Sequence, residues 1–213
     1  MKPSFRLLRV LAAPSVTTSN PVVRPTADDP QAETVTRWWV LPGDIDLFGH
    51  MNNSRYLLLM DFARVHYLRR AGLLQPALKK RWTMPVAVVN VDFRRPLKPF
   101  ERFEIATQVL SWDDRWFFIR QTFRTRKRPV RTVATGYVKT VVRSSSGVVA
   151  PAQLARIVGG RDVEPPVLPD DLWARFSIGP RAGVAEHTRP QTQRHNGHSL
   201  VDIVDLPFWA TDR

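Results

Sequence analysis

The apolar positions between residues 54 and 71 are spaced for a helix, and they occupy most of its circumference. On a helical wheel they fall on three sides: Leu57, Met60 and Leu68; Leu58, Phe62 and Val65; and Leu59 and Ala63. A helix that is apolar on nearly every face is enclosed by other structure instead of lying on a surface. Its length and its charged residues, Asp61 and Arg64 among them, make it unsuited to span a bilayer. The pattern predicts a core helix that ends near Gly72.

One predicted strand precedes this helix and four follow it. Residues 34–41 are rich in β-branched and aromatic side chains and end at a Pro-Gly turn. The other four segments alternate with period two, at residues 86–93, 102–110, 116–125 and 130–142. Because their connections are short, we expect antiparallel pairing, with one face of the sheet buried and the other in solvent.

The alternation also predicts which side chains share one face of each strand. In the order of the segments 86–93, 102–110, 116–125 and 130–142, they are Ala87, Val89, Val91 and Phe93; Phe103, Ile105, Thr107 and Val109; Phe117, Ile119 and Phe123; and Val130, Ala134, Gly136, Val138 and Val142. The small residues of the last strand would let a helix lie close against it.

These elements predict an α+β fold class, in which an antiparallel sheet wraps around one long buried central helix. A single sheet leaves its edges open, and pairing with a second copy would cover them. We divide the chain into an N-terminal extension (residues 1–33), a domain (34–158) and a C-terminal tail of low order (159–213). The tail is rich in proline and then polar, although apolar patches at residues 172–178 and 206–209 would pin it locally.

The N-terminal extension has two interpretations. Four basic residues precede its first acidic residue, Asp28, and Ser, Thr and Pro are frequent, which resembles an organellar transit peptide. The alternative is an unstructured extension in a bacterial protein, which we would expect to be cytoplasmic. The apolar run at residues 10–13 is too short to cross a bilayer, so we expect no transmembrane segment here.

The charge balance predicts anionic partners. The net charge is +13, and residues 34–161 contain 23 basic and 8 acidic residues, so the excess lies on the domain. Such a surface attracts nucleic acid, acidic headgroups or a phosphorylated small molecule, unless the charges only keep the protein soluble. The absence of cysteine excludes a disulfide framework, a thiolate metal site and a cysteine nucleophile.

A polar, turn-rich segment, DIDLFGHMNN at residues 44–53, runs directly into the predicted helix. A helix N-terminus presents unpaired N–H groups and a partial positive charge. Placed beside carboxylates, a histidine and two asparagines, it suits a carbonyl group that must become an oxyanion.

The same residues carry a resemblance to a known family. They follow the pattern D-x-D-x-x-G-H-x-N-N-x-x-Y, with an acidic residue and A-R further along the helix. The matching residues are Asp44, Asp46, Gly49, His50, Asn52, Asn53, Tyr56, Asp61, Ala63 and Arg64. Together with V-x-F-R-R-P-L at residues 91–97, the motif resembles the hotdog-fold acyl-CoA thioesterases related to 4-hydroxybenzoyl-CoA thioesterase. Its wording is most similar to the thioesterase-superfamily-member-6 group, and the resemblance covers about residues 34–157.

The resemblance implies a hotdog fold and hydrolysis of an acyl thioester of coenzyme A or of an acyl-carrier protein. Members of this family act as homodimers or as tetramers made of two dimers, with the site at the subunit interface. The thioester carbonyl lies over the N-terminus of the central helix, and a carboxylate activates water or attacks directly. No metal or redox cofactor is implied, since coenzyme A enters as part of the substrate.

Four residues are candidates for the chemistry. Asp46 occupies the position of the catalytic acid in D-x-x-G, although an Asp there could simply form a turn. His50 could donate to the carbonyl oxygen or orient water, and Asn53 could position water or cap the helix. Asp61 is the second choice as catalytic carboxylate; in a buried helix it needs a partner, for which Arg64 is well spaced.

Seven further residues are assigned to substrate binding. Gly49 would permit the turn, Asn52 would cap the helix or shape the oxyanion site, and Tyr56 would pack near it. Four arginines, two near the end of a predicted strand and two at a predicted turn, could hold the phosphates of coenzyme A or an acidic carrier protein: Arg94, Arg95, Arg126 and Arg128.

Two alternatives to a thioesterase stay open from the residues alone. One is a catalytically silent hotdog protein that binds acyl groups or serves as a scaffold. The other is a basic nucleic-acid-binding module, against which the basic residues are dispersed and no RNA-recognition signature is present. Serine hydrolase, zinc protease and P-loop motifs are absent from the sequence.

Overall fold

A five-stranded antiparallel sheet and one long helix account for most of the computed structural model, which describes residues 31–159 and 162–176. The strands are β1 (Thr34–Trp39), β2 (Val86–Phe93), β3 (Arg102–Trp112), β4 (Phe117–Thr125) and β5 (Thr132–Thr140). Their order in the sheet is β1-β3-β4-β5-β2, so β1 and β2 are the edges. The shorter elements are α2 (Leu74–Lys79), β6 (Val142–Ser144), β7 (Gly147–Val149), α3 (Pro151–Gly159) and α4 (Asp170–Trp173).

The long helix α1 (Asn53–Arg70) begins and ends at local signals in the sequence. The side chain of Asn52 accepts a hydrogen bond from the Ser54 amide at 2.9 Å, which caps the N-terminus. After the last turn, Gly72 adopts φ +74°, and the Leu73 amide bonds to the Leu68 carbonyl at 2.8 Å. The predicted helix end is confirmed. No helix among the described residues is long and apolar enough to cross a membrane.

Helix α1 packs on the inner face of the sheet through an almost completely buried stripe. Leu59, Met60 and Ala63 are each at most 1% exposed. Opposite them lies Gly136 of β5, where a Cβ atom would overlap the end of the Met60 side chain. The predicted close approach of helix and small-residue strand is confirmed, and so is the α+β hotdog fold class.

One stripe of α1 is exposed, which corrects the prediction of a helix enclosed on every side. Leu57 is 44% exposed and the Asp61 side chain 60% exposed. The helix lies mainly against β1 and β3, so the inner face of the edge strand β2 is only partly covered. Between α1, α2 and β2 lies an apolar groove of about 620 Å³, whose lining includes Leu57, Val65, Leu68, Leu78, Val86 and Val89.

Strand β2 differs from its predicted face at one position. An irregularity in its pairing with β5 lies between Val86 and Val88, and it takes Ala87 out of register. Val86 therefore lines the groove together with Val89, and Ala87 does not belong to that face.

Residues 162–176 cover part of the outer face of the sheet, which the alternation predicted to be in solvent. Phe176 is completely buried against Phe118 and Tyr137, with ring centroids 5.1 and 5.9 Å away. Arg175 pairs with Asp92 of β2 at 2.9 Å. This part of the predicted tail is thus held on the sheet by apolar contacts, while residues 1–30 and 177–213, including the patch at 206–209, lie outside the described residues.

His66, on α1, should make the stability of the fold sensitive to acid. Burial, together with the nearby charges of Arg70 and Arg69, lowers the pKa of His66 from 6.5 to about 4. Between these two pH values the unfolded chain takes up a proton that the folded chain does not bind. The free energy of unfolding must therefore decrease as the pH falls through this window.

Replacing His66 by Gln removes the titrating group, so we expect the stability of the variant to fall less between about pH 7 and about pH 5. Urea unfolding at both pH values measures the effect. Identical pH dependence in the two proteins would show that His66 does not carry it.

Candidate active site

The loop between β1 and α1 contains two aspartates with different environments. Asp44 is 5% exposed, and its Oδ2 accepts a hydrogen bond from the Leu41 amide at 2.8 Å. Arg55, one turn into α1, donates to the Gly43 carbonyl at 2.9 Å and lies 3.8 Å from Asp44 Oδ1. Asp44 is therefore part of the scaffold that ties the loop to the helix.

Asp46 lies in the tight turn that precedes α1. The turn is closed by a bridge between Ile45 and Met51, and the Asp46 amide bonds to the His50 carbonyl at 2.9 Å. Asp46 Oδ1 accepts hydrogen bonds from the amides of Phe48 at 2.9 Å and His50 at 3.3 Å. Gly49 makes the turn possible with φ +79°.

With these bonds, Asp46 can serve both as a turn-forming residue and as a catalytic carboxylate. One carboxylate oxygen forms the turn, and Oδ2 has no hydrogen-bond partner among the described residues. The carboxylate is consequently held by two backbone amides while its second oxygen stays open. A base or a nucleophile needs this combination of fixed orientation and a free oxygen.

The first amides of α1 lie immediately after this turn. The amides of Ser54 and Arg55 are both bonded to Asn52, at 2.9 Å in each case. Asn53 is exposed, and no residue in the part of the chain that the structure describes accepts a hydrogen bond from its backbone amide. Asn52 is thus the cap, and the Asn53 amide is a free donor at the positive end of the helix.

Asp61 and Arg64 form the predicted ion pair. Asp61 is not buried as we predicted, because its side chain is 60% exposed, whereas that of Arg64 is 8% exposed. Asp61 faces the apolar groove, and Arg64 points into the space between helix and sheet. Burial lowers the pKa of Arg64, and the nearby Asp61 charge opposes that effect.

Arg64 is held by Gln121, a residue that the sequence analysis did not single out. Arg64 Nη1 donates to Gln121 Oε1 at 2.8 Å, and Gln121 Nε2 donates to the Met60 carbonyl at 3.0 Å and to Thr107 Oγ1 at 3.1 Å. Gln121 is completely buried. Its signal in the sequence was a polar residue at an inward-facing position of β4, between Ile119 and Phe123.

Tyr56 lies in the core instead of on a substrate-facing surface. It is 2% exposed, and its ring packs against Phe93 and Phe123 with centroids 5.1 and 5.0 Å apart. Burial raises the pKa of Tyr56 to about 12, partly offset by a hydrogen bond with the Leu97 backbone. Tyr56 therefore packs the first turn of α1 against the sheet.

A basic cleft of about 790 Å³ is lined by the connection between β2 and β3 and by the turn between β4 and β5. Its charged lining residues are Arg95, Lys98, Glu101, Arg102, Arg126, Lys127, Arg128 and Arg131. Three of the four predicted phosphate-binding arginines are among them, whereas Arg94 is not. The sequence analysis missed Arg102, because only the pairing of β3 with β4 brings it beside the turn at residues 126–131.

The cleft and the helix N-terminus are joined by a direct hydrogen bond. The Met51 amide donates to the carbonyl of the buried Leu97 at 2.9 Å. Leu97 lies in the connection between Arg95 and Lys98, so the basic residues and the Asp46 turn share one framework. The apolar groove begins at Leu57, one helical turn from Asn53, or about 6 Å along the axis.

The antiparallel sheet around α1 and the turn at its N-terminus define a hotdog-fold protein of the thioester hydrolase class. The chain belongs to the thioesterase-like superfamily, whose profile matches residues 40–176.

Individual relatives agree with this assignment. Protein THEM6 from Xenopus laevis is 33% identical over 159 residues, which cover 73% of each chain. Two solved structures share the fold at lower identity. A gentisyl-coenzyme A thioesterase has a TM-score of 0.53 and 24% identity over 59% of this chain and 98% of its own. A mutant 4-hydroxybenzoyl-CoA thioesterase, complexed with 4-hydroxybenzoyl-CoA, has a TM-score of 0.55 and 17% identity over 60% and 99%.

Proposed function

We propose that this protein hydrolyses acyl-coenzyme A thioesters, with Asp46 as the catalytic carboxylate and the Asn53 amide as oxyanion donor. The observation that carries the proposal is the pair of open groups at one helix end, Asp46 Oδ2 and the Asn53 N–H. The two solved structures support it, since one is a gentisyl-coenzyme A thioesterase and the other is a 4-hydroxybenzoyl-CoA thioesterase mutant complexed with 4-hydroxybenzoyl-CoA. Acyl-carrier protein is the alternative carrier of the same thioester.

The mechanism follows from these groups. The thioester carbonyl oxygen accepts a hydrogen bond from the Asn53 amide, where the helix N-terminus stabilises the negative charge that develops. In one route Asp46 takes a proton from water as the water oxygen attacks the carbonyl carbon; the carbon–sulfur bond of the tetrahedral intermediate then breaks, and the departing thiolate receives the proton from Asp46. In the other route an Asp46 oxygen attacks the carbonyl carbon, the carbon–sulfur bond breaks to leave an anhydride on Asp46, the thiolate takes a proton from solvent, and water then cleaves the anhydride. Both routes give a free acid and the coenzyme A thiol. His50, opposite Asp46 across the turn, would orient the water.

The basic cleft would hold the phosphates of coenzyme A. Arginine forms bidentate charged hydrogen bonds with phosphate, and the cleft combines Arg95, Arg126 and Arg128 from two loops. The groove beside Leu57 would take the acyl group, because its lining is apolar apart from the neutralised pair of Asp61 and Arg64.

A second copy would complete the site. Strand β2 is an edge of the sheet, and its inner face leaves Val86 36%, Val89 42% and Phe93 45% exposed. Pairing of two β2 edges would cover this surface and bring a second subunit against the groove. We therefore propose a homodimer as the active unit, which could double to a homotetramer.

Release of free thiol from a panel of acyl-CoA substrates tests the proposed activity. Replacing both Arg95 and Arg128 by Gln should raise KM about tenfold and leave kcat nearly unchanged, because charged hydrogen bonds to the non-reacting end of the substrate are lost. Arg143→Gln is the matched control, since Arg143 is exposed beyond the opposite end of the sheet. Its kinetics should equal those of the wild type.

The outcomes separate the alternatives. Acyl-CoA binding without thiol release would indicate a silent acyl-binding protein. Salt-dependent binding of nucleic acid that acyl-CoA does not displace would indicate a basic nucleic-acid module. Equal effects of Arg143→Gln and of the cleft variant on KM would exclude a specific phosphate site.

A further inference from the structure

Three loops meet at one end of the sheet and form a continuous surface, which we call the loop end: residues 40–52, 94–101 and 126–131. Strand pairing places them together, because Trp39 lies opposite Arg102, Phe103 opposite Thr125 and Phe93 opposite Ala134. Backbone hydrogen bonds connect the loops, from Phe100 to Val40 at 3.0 Å, from Met51 to Leu97 at 2.9 Å, and from Arg126 to Arg102 at 3.2 Å.

Each loop of this end presents a large apolar side chain to solvent. Leu47 is 102% exposed and Phe48 85% exposed at the tip of the first loop. Phe100 of the second loop is 64% exposed, and Val130 of the third is 58% exposed. Single exposed apolar residues are normal on a soluble protein, but four on one surface indicate a contact with an apolar phase.

Phe100 is held outward at a conformational cost. Its φ of +62° is unfavourable for a bulky side chain, and its exposure shows that no core packing compensates. Backbone strain of this kind is concentrated at functional sites.

The loop end is also strongly basic. Together with Arg102 it carries eight cationic residues: Arg94, Arg95, Lys98, Arg102, Arg126, Lys127, Arg128 and Arg131. Its acidic residues are Asp44, Asp46 and Glu101, of which Asp44 is buried. A second copy of this chain would bring the same cations, so its loop end is repelled from this surface. The partner must be anionic and must accept apolar side chains.

We propose that the loop end docks on an anionic lipid bilayer. Leu47, Phe48, Phe100 and Val130 would insert at the level of the headgroups, while the exposed cations not assigned to coenzyme A contact lipid phosphates: Arg94, Lys98, Arg102, Lys127 and Arg131. Nucleic acid fits less well, because the aliphatic tips Leu47 and Val130 offer no ring on which a base could stack. Docking does not depend on hydrolytic activity, but it would bring the Asp46 turn to the surface where long-chain acyl thioesters partition.

Co-sedimentation of the full chain with vesicles tests this surface. We expect binding to phosphatidylcholine vesicles that contain phosphatidylserine, weak binding without it, and loss of binding as salt increases. The double variant Leu47→Ser, Phe48→Ser should bind at least about tenfold more weakly, since two apolar groups no longer enter the bilayer. Val167→Ser is the matched control, because Val167 is 92% exposed but lies outside the loop end; its binding should be unchanged.

Phe100→Gly is a second variant, in which weaker vesicle binding would not be explained by loss of the fold. Glycine accepts the positive φ, so thermal stability should rise or stay constant while vesicle affinity falls several-fold. Undiminished vesicle binding of both loop-end variants would overturn the proposal. A change of oligomeric state in the double variant without vesicle binding by the wild type would do so as well, since the surface would then be a subunit contact.

Discussion

Asp46→Asn will lower kcat for thioester hydrolysis by about 10²–10⁴-fold, the usual contribution of a positioned carboxylate. Asn retains an oxygen that accepts the amides of Phe48 and His50, so the turn before α1 is kept. What it lacks is the charge that allows Oδ2 to accept a proton or attack a carbonyl carbon. Thiol release at saturating acyl-CoA measures kcat, and a binding assay with a non-hydrolysable thioether analogue checks that the site still forms.

Asp61→Asn is the matched comparison, because it makes the same chemical change eight residues into α1. Asp61 is the counter-ion of Arg64 and is 60% exposed, so its replacement should change kcat by less than about threefold. Stability should fall, because the buried guanidinium of Arg64 then keeps only its hydrogen bond to Gln121. The reverse pattern, with hydrolysis lost in Asp61→Asn and kept in Asp46→Asn, would move the catalytic role onto the helix. Equal losses in both variants would indicate that the two carboxylates act together.

Local patterns were sufficient for the elements of this fold. Period-two alternation predicted β2 at its observed bounds, Val86–Phe93, and the helix within one residue at each end. The reason is that caps, turns and alternation depend only on residues that are close in sequence. Asn52 caps the helix and Gly72 ends it through contacts within a few positions. Helix α2 was not predicted, because its six residues carry too short a pattern to be recognised.

Features that depend on distant residues were harder to predict. A helical wheel shows that α1 is apolar all round, but only the position of the sheet decides that Leu57 and Asp61 remain exposed. The tail segment around Phe176 reads as an isolated apolar patch until the outer face of β4 is seen to offer Phe118.

The candidate site divides in the same way. The ten-residue motif predicted the Asn52 cap and the Gly49 turn, because both are local backbone chemistry. It did not show that Asp46 uses one oxygen for the turn and leaves the other open. Nor did it show that Arg102 joins two separate basic segments in one cleft, since that requires the register between β3 and β4.

The largest loss of stability is expected from Gln121→Leu. Leu has a similar volume, but it leaves Arg64 Nη1 without its acceptor in a space that water does not reach. It also removes the donor to the Met60 carbonyl and to Thr107 Oγ1. A buried guanidinium N–H without its acceptor and two unsatisfied acceptors together should lower the free energy of unfolding by about 3 kcal/mol, measured by urea unfolding, although Arg64 keeps its ion pair with Asp61.

Gln108→Leu is the control that separates burial from hydrogen bonding. Gln108 accepts a hydrogen bond from Arg120 at 2.6 Å between the same two strands, but on the outer, partly exposed face. Because water replaces the lost partner there, the expected loss is about 0.5–1 kcal/mol.

The double variant Arg64→Met, Gln121→Leu then tests whether the charge causes the loss. Removing both partners leaves no buried guanidinium, and Asp61 remains in contact with water. Stability should therefore recover in part relative to Gln121→Leu alone, with the Met60 carbonyl and Thr107 accounting for the remainder. Additive losses would instead show that Arg64 and Gln121 stabilise the interface between helix and sheet independently, through packing.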